Sequence, residues 1–302
     1  MAGGGAHDRR LSVAFGIQGS GQQVEGMPDP ARYRDLAQAA EELGYDSIWA
    51  GDHISYRNPI LDIVVALSTF AAVTERITLG AGIVLLPLRH PSVVAKELAS
   101  LDYVSRGRVI LGVGVGGEGE KDFEAVGVDP RERGARTNEA MRALRALFGP
   151  QPASFEGRFF SFAEVEIAPV SPRAGGPPLW VGGRSEAAIR RAAELGDGWI
   201  PIWVSVERFR EALAKLPDHV VPAVTLPAHV GEKRTLYEHL RRRYAGDFSE
   251  HVVDRYCVAG TPQECAARVR EYVDAGARHI VFNLCEPEDA DRLSEVVHAA
   301  AG

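Results

Sequence analysis

At 302 residues, with 45% hydrophobic and 25% charged side chains, the chain has the composition of a soluble globular protein with room for a sizeable core. Its 34 basic and 41 acidic residues leave a net charge of −7, and no basic block is long enough to track nucleic acid; the longest, Arg241–Arg243, reads as a solvated helix face. No apolar run reaches the ~20 residues that span a bilayer, and three cysteines (Cys257, Cys265, Cys285) without metal spacing point to a reduced, cytoplasmic compartment.

The opening MAGGGAHDRR has glycines and charges but no apolar stretch, so residues 1–10 are expected to be a disordered tail, neither signal peptide nor anchor. Residues 11–302 then read as one domain. Leu11–Ile17 is a first strand. Asp29-Pro30 opens a helix whose stripe runs Tyr33, Leu36, Ala37, Ala40, Leu43, and Gly44 ends it. Ser47–Ala50 is a second strand giving way to Gly51-Asp52-His53. A helix over Pro59–Val73 precedes the third strand, Ile77–Val84, and one over Pro91–Val104 precedes the fourth, Arg108–Val113. The glycine-rich loop Gly114–Gly119 follows, with no clear helix over Glu120–Asp129, then a helix over Arg136–Phe148.

Gly149–Pro177 breaks the rhythm: proline- and glycine-rich, with two alternating apolar runs, it reads as a β-hairpin excursion. Strand, helix and strand resume from Pro178 to Ile202, followed by a helix over Val206–Leu216 and a strand at Val220–Val224. Thr261-Pro262-Gln263-Glu264 is a capping box that opens a helix to Asp274; His279–Leu284 is the last strand and Pro287–Ala300 the closing helix. Eight strands alternating with helices imply a parallel sheet. At this length they imply a closed (β/α)₈ TIM barrel of the α/β class, with a hairpin-like excursion before strand five.

Chemistry in such a barrel collects at the C-terminal ends of the strands. That rule selects Gln18, Asp52, His53, Gly82, Ile83, Gly116, Glu118, Gly182, Gly183 and Pro201. Gly182-Gly183 lie between a strand and a helix capped by Ser185, where unpaired N–H groups and missing side chains suit an anion; Arg184 would add charge. That is a phosphate cradle, or else simply a tight strand-to-helix turn. His53 would donate or accept a proton, with Asp52 orienting it or binding a ring nitrogen or hydroxyl; the alternative is a capped turn. Gly82, inside a strand, marks a bulge or a close ligand approach. Gly112, Gly114 and Gly117 spell GxGxxG, but on the fourth strand rather than an opening βαβ unit. Gly114 and Gly116 therefore read as a loop against which a flat cofactor lies, with Glu118 the nearby acid. Arg89-His90-Pro91 reads as a helix-capping turn with salt bridging beneath the site, and no metal-binding set is present in the sequence.

The segments YDSIWAGDH, ITLGAGIVLLPLRHP, GRVILGVGVGGEGEKDFEAVGV, PPLWVGGRSEAAIRRAAELGDGWIP and VAGTPQECAARVREYVDAGARHIV run in order through nearly the whole chain. Together they resemble the luciferase-like superfamily of flavin-dependent monooxygenases and oxidoreductases using the deazaflavin coenzyme F-420 (F420). The resemblance implies a TIM barrel with an excursion near Gly149–Pro177, and a homodimer. It implies a cofactor phosphate on the Gly182-Gly183 amides and a non-proline cis peptide at Gly82-Ile83 backing the ring. Asp52 and His53 match positions that contact the ring, with His53 handling a proton; with the loop acid Glu118 they are the catalytic candidates. Arg184, Arg190 and Arg191 would greet an acidic coenzyme tail, or else are surface charge on one helix. One departure is Gly117, which stands where many relatives carry a bulky residue and implies a roomy pocket.

The activity implied is hydride transfer between F420 and a small organic substrate. The alternatives are a monooxygenase using reduced FMN and molecular oxygen, served by a flavin reductase, or a non-catalytic cofactor-binding or partner subunit. Substrate contacts are expected from Ser20–Pro28, Ser55–Pro59 and Trp203–Val206, with neither nucleic acid nor membrane as a partner.

Overall fold

The computed structural model describes residues 13–19, 27–117, 119–244 and 249–301, with side chains to residue 297. The expected tail, Glu118 and most of the Ser20–Pro28 loop lie outside the described residues.

The first half alternates as its apolar periodicities dictate: β1 (Ala14–Gln18), α1 (Pro30–Glu42), β2 (Ser47–Ala50), α2 (Ile63–Val73), β3 (Thr78–Leu85), α3 (Pro91–Val104) and β4 (Val109–Gly114). Asp29 caps α1 through the Ala31 N–H at 2.9 Å, as its position before proline predicts. The second helix starts later than expected, at Ile63 rather than Pro59, because Asp62 accepts from the Val64 and Val65 N–H groups and so marks its first turn.

A short helix, α4 (Glu120–Val126), occupies the stretch expected to lack one; at seven residues it shows no clear periodicity, and Gly127 in the left-handed region (φ 66°) ends it. After α5 (Arg133–Leu147), the excursion is the antiparallel pair β5 (Ala153–Glu156) and β6 (Ser161–Val165), as expected.

The second half runs β7 (Leu179–Gly182), α6 (Glu186–Leu195), β8 (Gly198–Ile200), α7 (Val206–Leu213), β9 (Val221–Val230), α8 (Lys233–Tyr244), α9 (Glu250–Tyr256), β10 (Val258–Gly260), α10 (Pro262–Asp274), β11 (His279–Leu284) and α11 (Asp289–Ala301). The seventh barrel strand reaches Val230, not Val224; Pro227, with no N–H to give to a ladder, imitates a strand end. Helices α8 and α9 lie in a stretch where the sequence predicts only a solvated helix face at Arg241–Arg243. Arg243, expected on a solvated face, is buried on α8.

Eight strands close a parallel barrel in the order β9-β11-β1-β2-β3-β4-β7-β8, with β8 pairing back to β9. This is the expected (β/α)₈ TIM barrel; β10 adds a short parallel strand beside the far end of β9. Inside, Trp49 and Trp180 pack with ring centroids 5.6 Å apart, each meeting His279 edge-on. A Cβ at Gly80 would stand 2.1 Å from the Trp49 ring, so glycine on β3 makes room for the indole. Ser47 Oγ lies 2.7 Å from His279 Nε2 and accepts from Trp49 Nε1 at 2.8 Å. Burial pushes the His279 imidazole down to about 4, so the ring sits neutral in this plug. Other polar side chains, Gln18 and Asn283 among them, gather at the strands' C-terminal ends.

Candidate active site

A cavity of 170 Å³ opens at those ends, lined by Gln18, Asp52, His53, Gly82, Ile83, Gly182, Gly183, Thr225 and Asn283 among others. One wall is the third strand. The Gly82–Ile83 peptide is cis, at the position the resemblance implied, and the β3–β4 register shifts between Ala81 and Val84. Gln18 Nε2 donates to the Gly82 carbonyl at 3.2 Å. The Ile83 side chain fills space that Gly114 on β4 and Gly182 on β7 leave open. Gly114 and Gly116 themselves do not line the cavity: Gly114 faces Ile83, and Gly116, at φ 68°, faces Phe123.

Asp52, buried at the end of β2, accepts from the Leu85 N–H at 3.0 Å and from Arg89 at 2.7 and 3.3 Å. Arg89 also bonds Asp62 at 2.7 Å, which is the salt bridging expected beneath the site. Burial works against the Arg89 charge, but the Asp52 and Asp62 carboxylates outweigh it and hold the guanidinium above its ordinary value.

His53 is held by a different acid. Its Nδ1 lies 2.8 Å from Oδ2 of Asp122 on α4, and the other Asp122 oxygen accepts the Ile54 and Ser55 N–H groups at 2.8 Å each. Tyr56 stacks on the His53 ring, centroids 4.1 Å apart and planes within 9°. Sequence reasoning missed Asp122 because it turns on a helix too short to read; the acidic run after Gly119 was the only signal.

Gly182 and Gly183 both line the cavity ahead of α6, whose N-cap Ser185 accepts from the Ala188 N–H. Gly183, at φ 101°, takes a conformation that costs other residues dearly. Arg184 turns into a neighbouring cleft of 490 Å³, where it donates to the Trp203 carbonyl at 2.6 Å. Tyr56 and Tyr244 line both spaces. Arg191 is buried, donates to Asn138 Oδ1 and the Gly134 carbonyl, and does not line the cavity.

Asn283 was also missed, although it is the one polar residue near the end of an apolar strand, in register with Gln18. Its Oδ1 is buried with no hydrogen-bond partner. Beyond the cavity, His229, Cys285 and Asp289 gather their ligand atoms within 4.8 Å, but the Asp289 oxygens already take His229 Nδ1 at 3.0 Å and the Val230 and Glu286 N–H groups.

This fold and these strand-end residues define a closed (β/α)₈ barrel with a cavity at its C-terminal face, where barrel enzymes keep their active sites. The luciferase-like monooxygenase family model matches residues 10–220, and the chain belongs to that family. It is 29% identical to an F420-dependent glucose-6-phosphate dehydrogenase of Kineococcus radiotolerans, over 90% of this chain and 91% of the relative. Among solved structures it is similar in fold to an F420-dependent secondary alcohol dehydrogenase in complex with an F420-acetone adduct (TM-score 0.85, 18% identity, covering 96% of this chain and 99% of the other). It is likewise similar in fold to a monooxygenase from Streptomyces bottropensis (TM-score 0.80, 22% identity, 95% and 97% covered). Among the described residues no helix is long and apolar enough to cross a membrane.

Proposed function

We propose that the chain is an F420-dependent oxidoreductase that moves a hydride between the deazaflavin and a small organic substrate, with His53 donating or accepting the accompanying proton. The observation that carries this is one cavity lined at once by the cis Gly82–Ile83 peptide, the Gly182-Gly183 turn and a histidine anchored by a buried carboxylate. The residues present fit such a cofactor. Asn283 Oδ1 is a buried acceptor that a ring N–H would satisfy. The F420 dependence of the Kineococcus relative supports this choice of cofactor.

When bound, the deazaflavin supplies the hydride chemistry; the protein binds, orients and excludes water. The Gly182-Gly183 turn and the α6 N-terminus would hold the phosphate, as helix N-termini hold anions. Gln18 and Ile83 set the wall against which the ring would lie. His53 moves the proton at Nε2.

The likeness in fold to a monooxygenase supports a second reading, reduced FMN with molecular oxygen and a flavin reductase as partner. A fluorescence titration of the purified protein with F420 and with FMN, each oxidised and reduced, separates the two. Tighter F420 binding supports hydride transfer; preference for reduced FMN supports oxygenation; binding of neither leaves a non-catalytic barrel. We place the protein in the cytoplasm, because its three cysteines are free and buried. We propose a homodimer, since the neighbouring helices α2 and α3 expose Val65 and Val93; sedimentation at one protomer's mass would overturn it.

A further inference from the structure

We propose that Asp122 is the positioning residue for His53: it keeps the ring proton on Nδ1, so that Nε2 is the atom that exchanges a proton with the substrate. The catalytic consequence rests on the oxidoreductase reading; the tautomer does not.

Three contacts define the arrangement. The Asp122 side chain is 1% exposed, while that of His53 is 16% exposed and faces the cavity. Oδ1 of Asp122 is committed to two backbone N–H groups, those of Ile54 and Ser55, which can only donate. Oδ2 is left to face His53 Nδ1 at 2.8 Å. A carboxylate oxygen there is an acceptor, so Nδ1 carries the hydrogen and the neutral ring keeps its lone pair at Nε2. The Tyr56 stack fixes the plane of the ring, and the Asp122 bond fixes its rotation within that plane.

The tie also joins two strand ends. Asp122 belongs to the helix after β4, and the backbone it grips follows β2, so one buried carboxylate sets both the histidine and the loop that carries it. Gly119 makes the approach possible, because a Cβ there would stand 2.8 Å from Asp122 Oδ2.

In the oxidising direction on an alcohol, the substrate O–H bond breaks and its proton forms an Nε2–H bond on His53. A bound oxidised deazaflavin would accept the carbinol C–H hydride with its electron pair as the C=O bond forms. The imidazolium so produced sits against the Asp122 carboxylate, which offsets its charge. In the reducing direction the same Nε2–H supplies the proton. Among the described residues, the other ionisable groups on this cavity are Asp52 with its Arg89 partner, Tyr56, Tyr244 and Arg243.

Asp122→Asn tests the assignment without removing the loop's anchor, since the amide oxygen still accepts from Ile54 and Ser55. Its NH₂ would then face Nδ1 and force the proton onto Nε2. Long-range ¹H–¹⁵N NMR of the cofactor-free protein at alkaline pH, with His53→Gln to assign the signal, reads the tautomer directly. The native protein is expected to show Nδ1–H and the variant Nε2–H. Turnover in the variant should fall about 10²–10⁴-fold, the range of general acid–base catalysis, with F420 affinity within about twofold. A native ring in the Nε2–H form, a measurement that needs no folded variant at Asp122, would overturn the assignment. So would a variant with native turnover. Failure to bind F420 would sink the oxidoreductase reading while leaving the tautomer result standing.

Discussion

A Cβ at Gly114 would stand 1.9 Å from Ile83 Cδ1, so the fourth strand is shaped to the residue that follows the cis peptide of the third. Gly112, two residues earlier on the same strand, faces something harder: its Cβ would meet the Ala81 carbonyl oxygen at 2.1 Å. The two positions should therefore respond differently to alanine. At Gly114 the obstacle is the end of a side chain that can rotate about χ2, so Gly114→Ala should cost about 1 kcal/mol and re-aim Ile83. At Gly112 the obstacle is backbone, and Gly112→Ala should cost about 3 kcal/mol or more. Urea midpoints compare the stabilities. An F420 titration should show Gly114→Ala binding more weakly than the native protein; equal midpoints for the two variants would refute the distinction.

Asp52 is buried and Arg89 is its charge partner. Removing the cation alone leaves an uncompensated carboxylate in the interior, which typically costs about 3–5 kcal/mol. Arg89→Ala should lower the denaturant midpoint accordingly, and Asp52→Asn combined with Arg89→Met should recover much of the loss. If the single variant is as stable as the native chain, the pair does not hold the base of the site together.

Asn283 offers the opposite sign. Its Oδ1 is buried without a partner, a state that costs about 1–3 kcal/mol when nothing binds there. Asn283→Leu is expected to raise the melting temperature of the cofactor-free protein and to weaken F420 binding in the same titration. A variant that is less stable and binds normally would assign Asn283 to the barrel core instead.

Burial holds two histidines neutral. The imidazole of His279 is pushed down from 6.5 to about 4 by burial. That of His239 is pushed from 6.5 to about 4 by burial first, then by the charges of Arg243 and Arg242. Both folded values lie below the unfolded one, so between pH 6.5 and 4 the unfolded chain binds more protons than the folded chain. Their contribution is full above 6.5 and is lost as pH falls towards 4, at a slope of up to about 1.4 kcal/mol per pH unit for each group. Comparing urea midpoints of native and His279→Gln protein from pH 7 to 4 should show a shallower decline in the variant. Parallel curves would mean that His279 titrates normally.

Much of the architecture was legible because it rests on local rules. Asp29 before Pro30 and the Thr261–Glu264 capping box fixed helix starts to the residue. Apolar runs at strand period placed the eight barrel strands, and the proline- and glycine-rich break located the β5–β6 hairpin. The same alternation put Asp52, His53, Gly82 and Gly183 at strand ends, where the cavity is. Short or interrupted elements escaped. Seven-residue α4 carries less than two full turns of pattern, and Pro227 cut β9 short on paper.

What the sequence by itself determined is the backbone course and the strand ends, since propensity, capping and periodicity act within a few residues. Partnership was decided only by the tertiary structure. Asp52 stands next to His53 in the chain, yet it bonds Arg89, while His53 takes Asp122 from 69 residues away. Gly114 reads as a cofactor contact and instead makes room for Ile83; Arg184 reads as a cradle charge and instead bonds the Trp203 carbonyl. In a closed barrel the loops after β2, β3 and β4 emerge side by side, so a buried carboxylate pairs with whichever donor the ring of strands brings within about 3 Å. Closure sets that distance, and no local pattern encodes it.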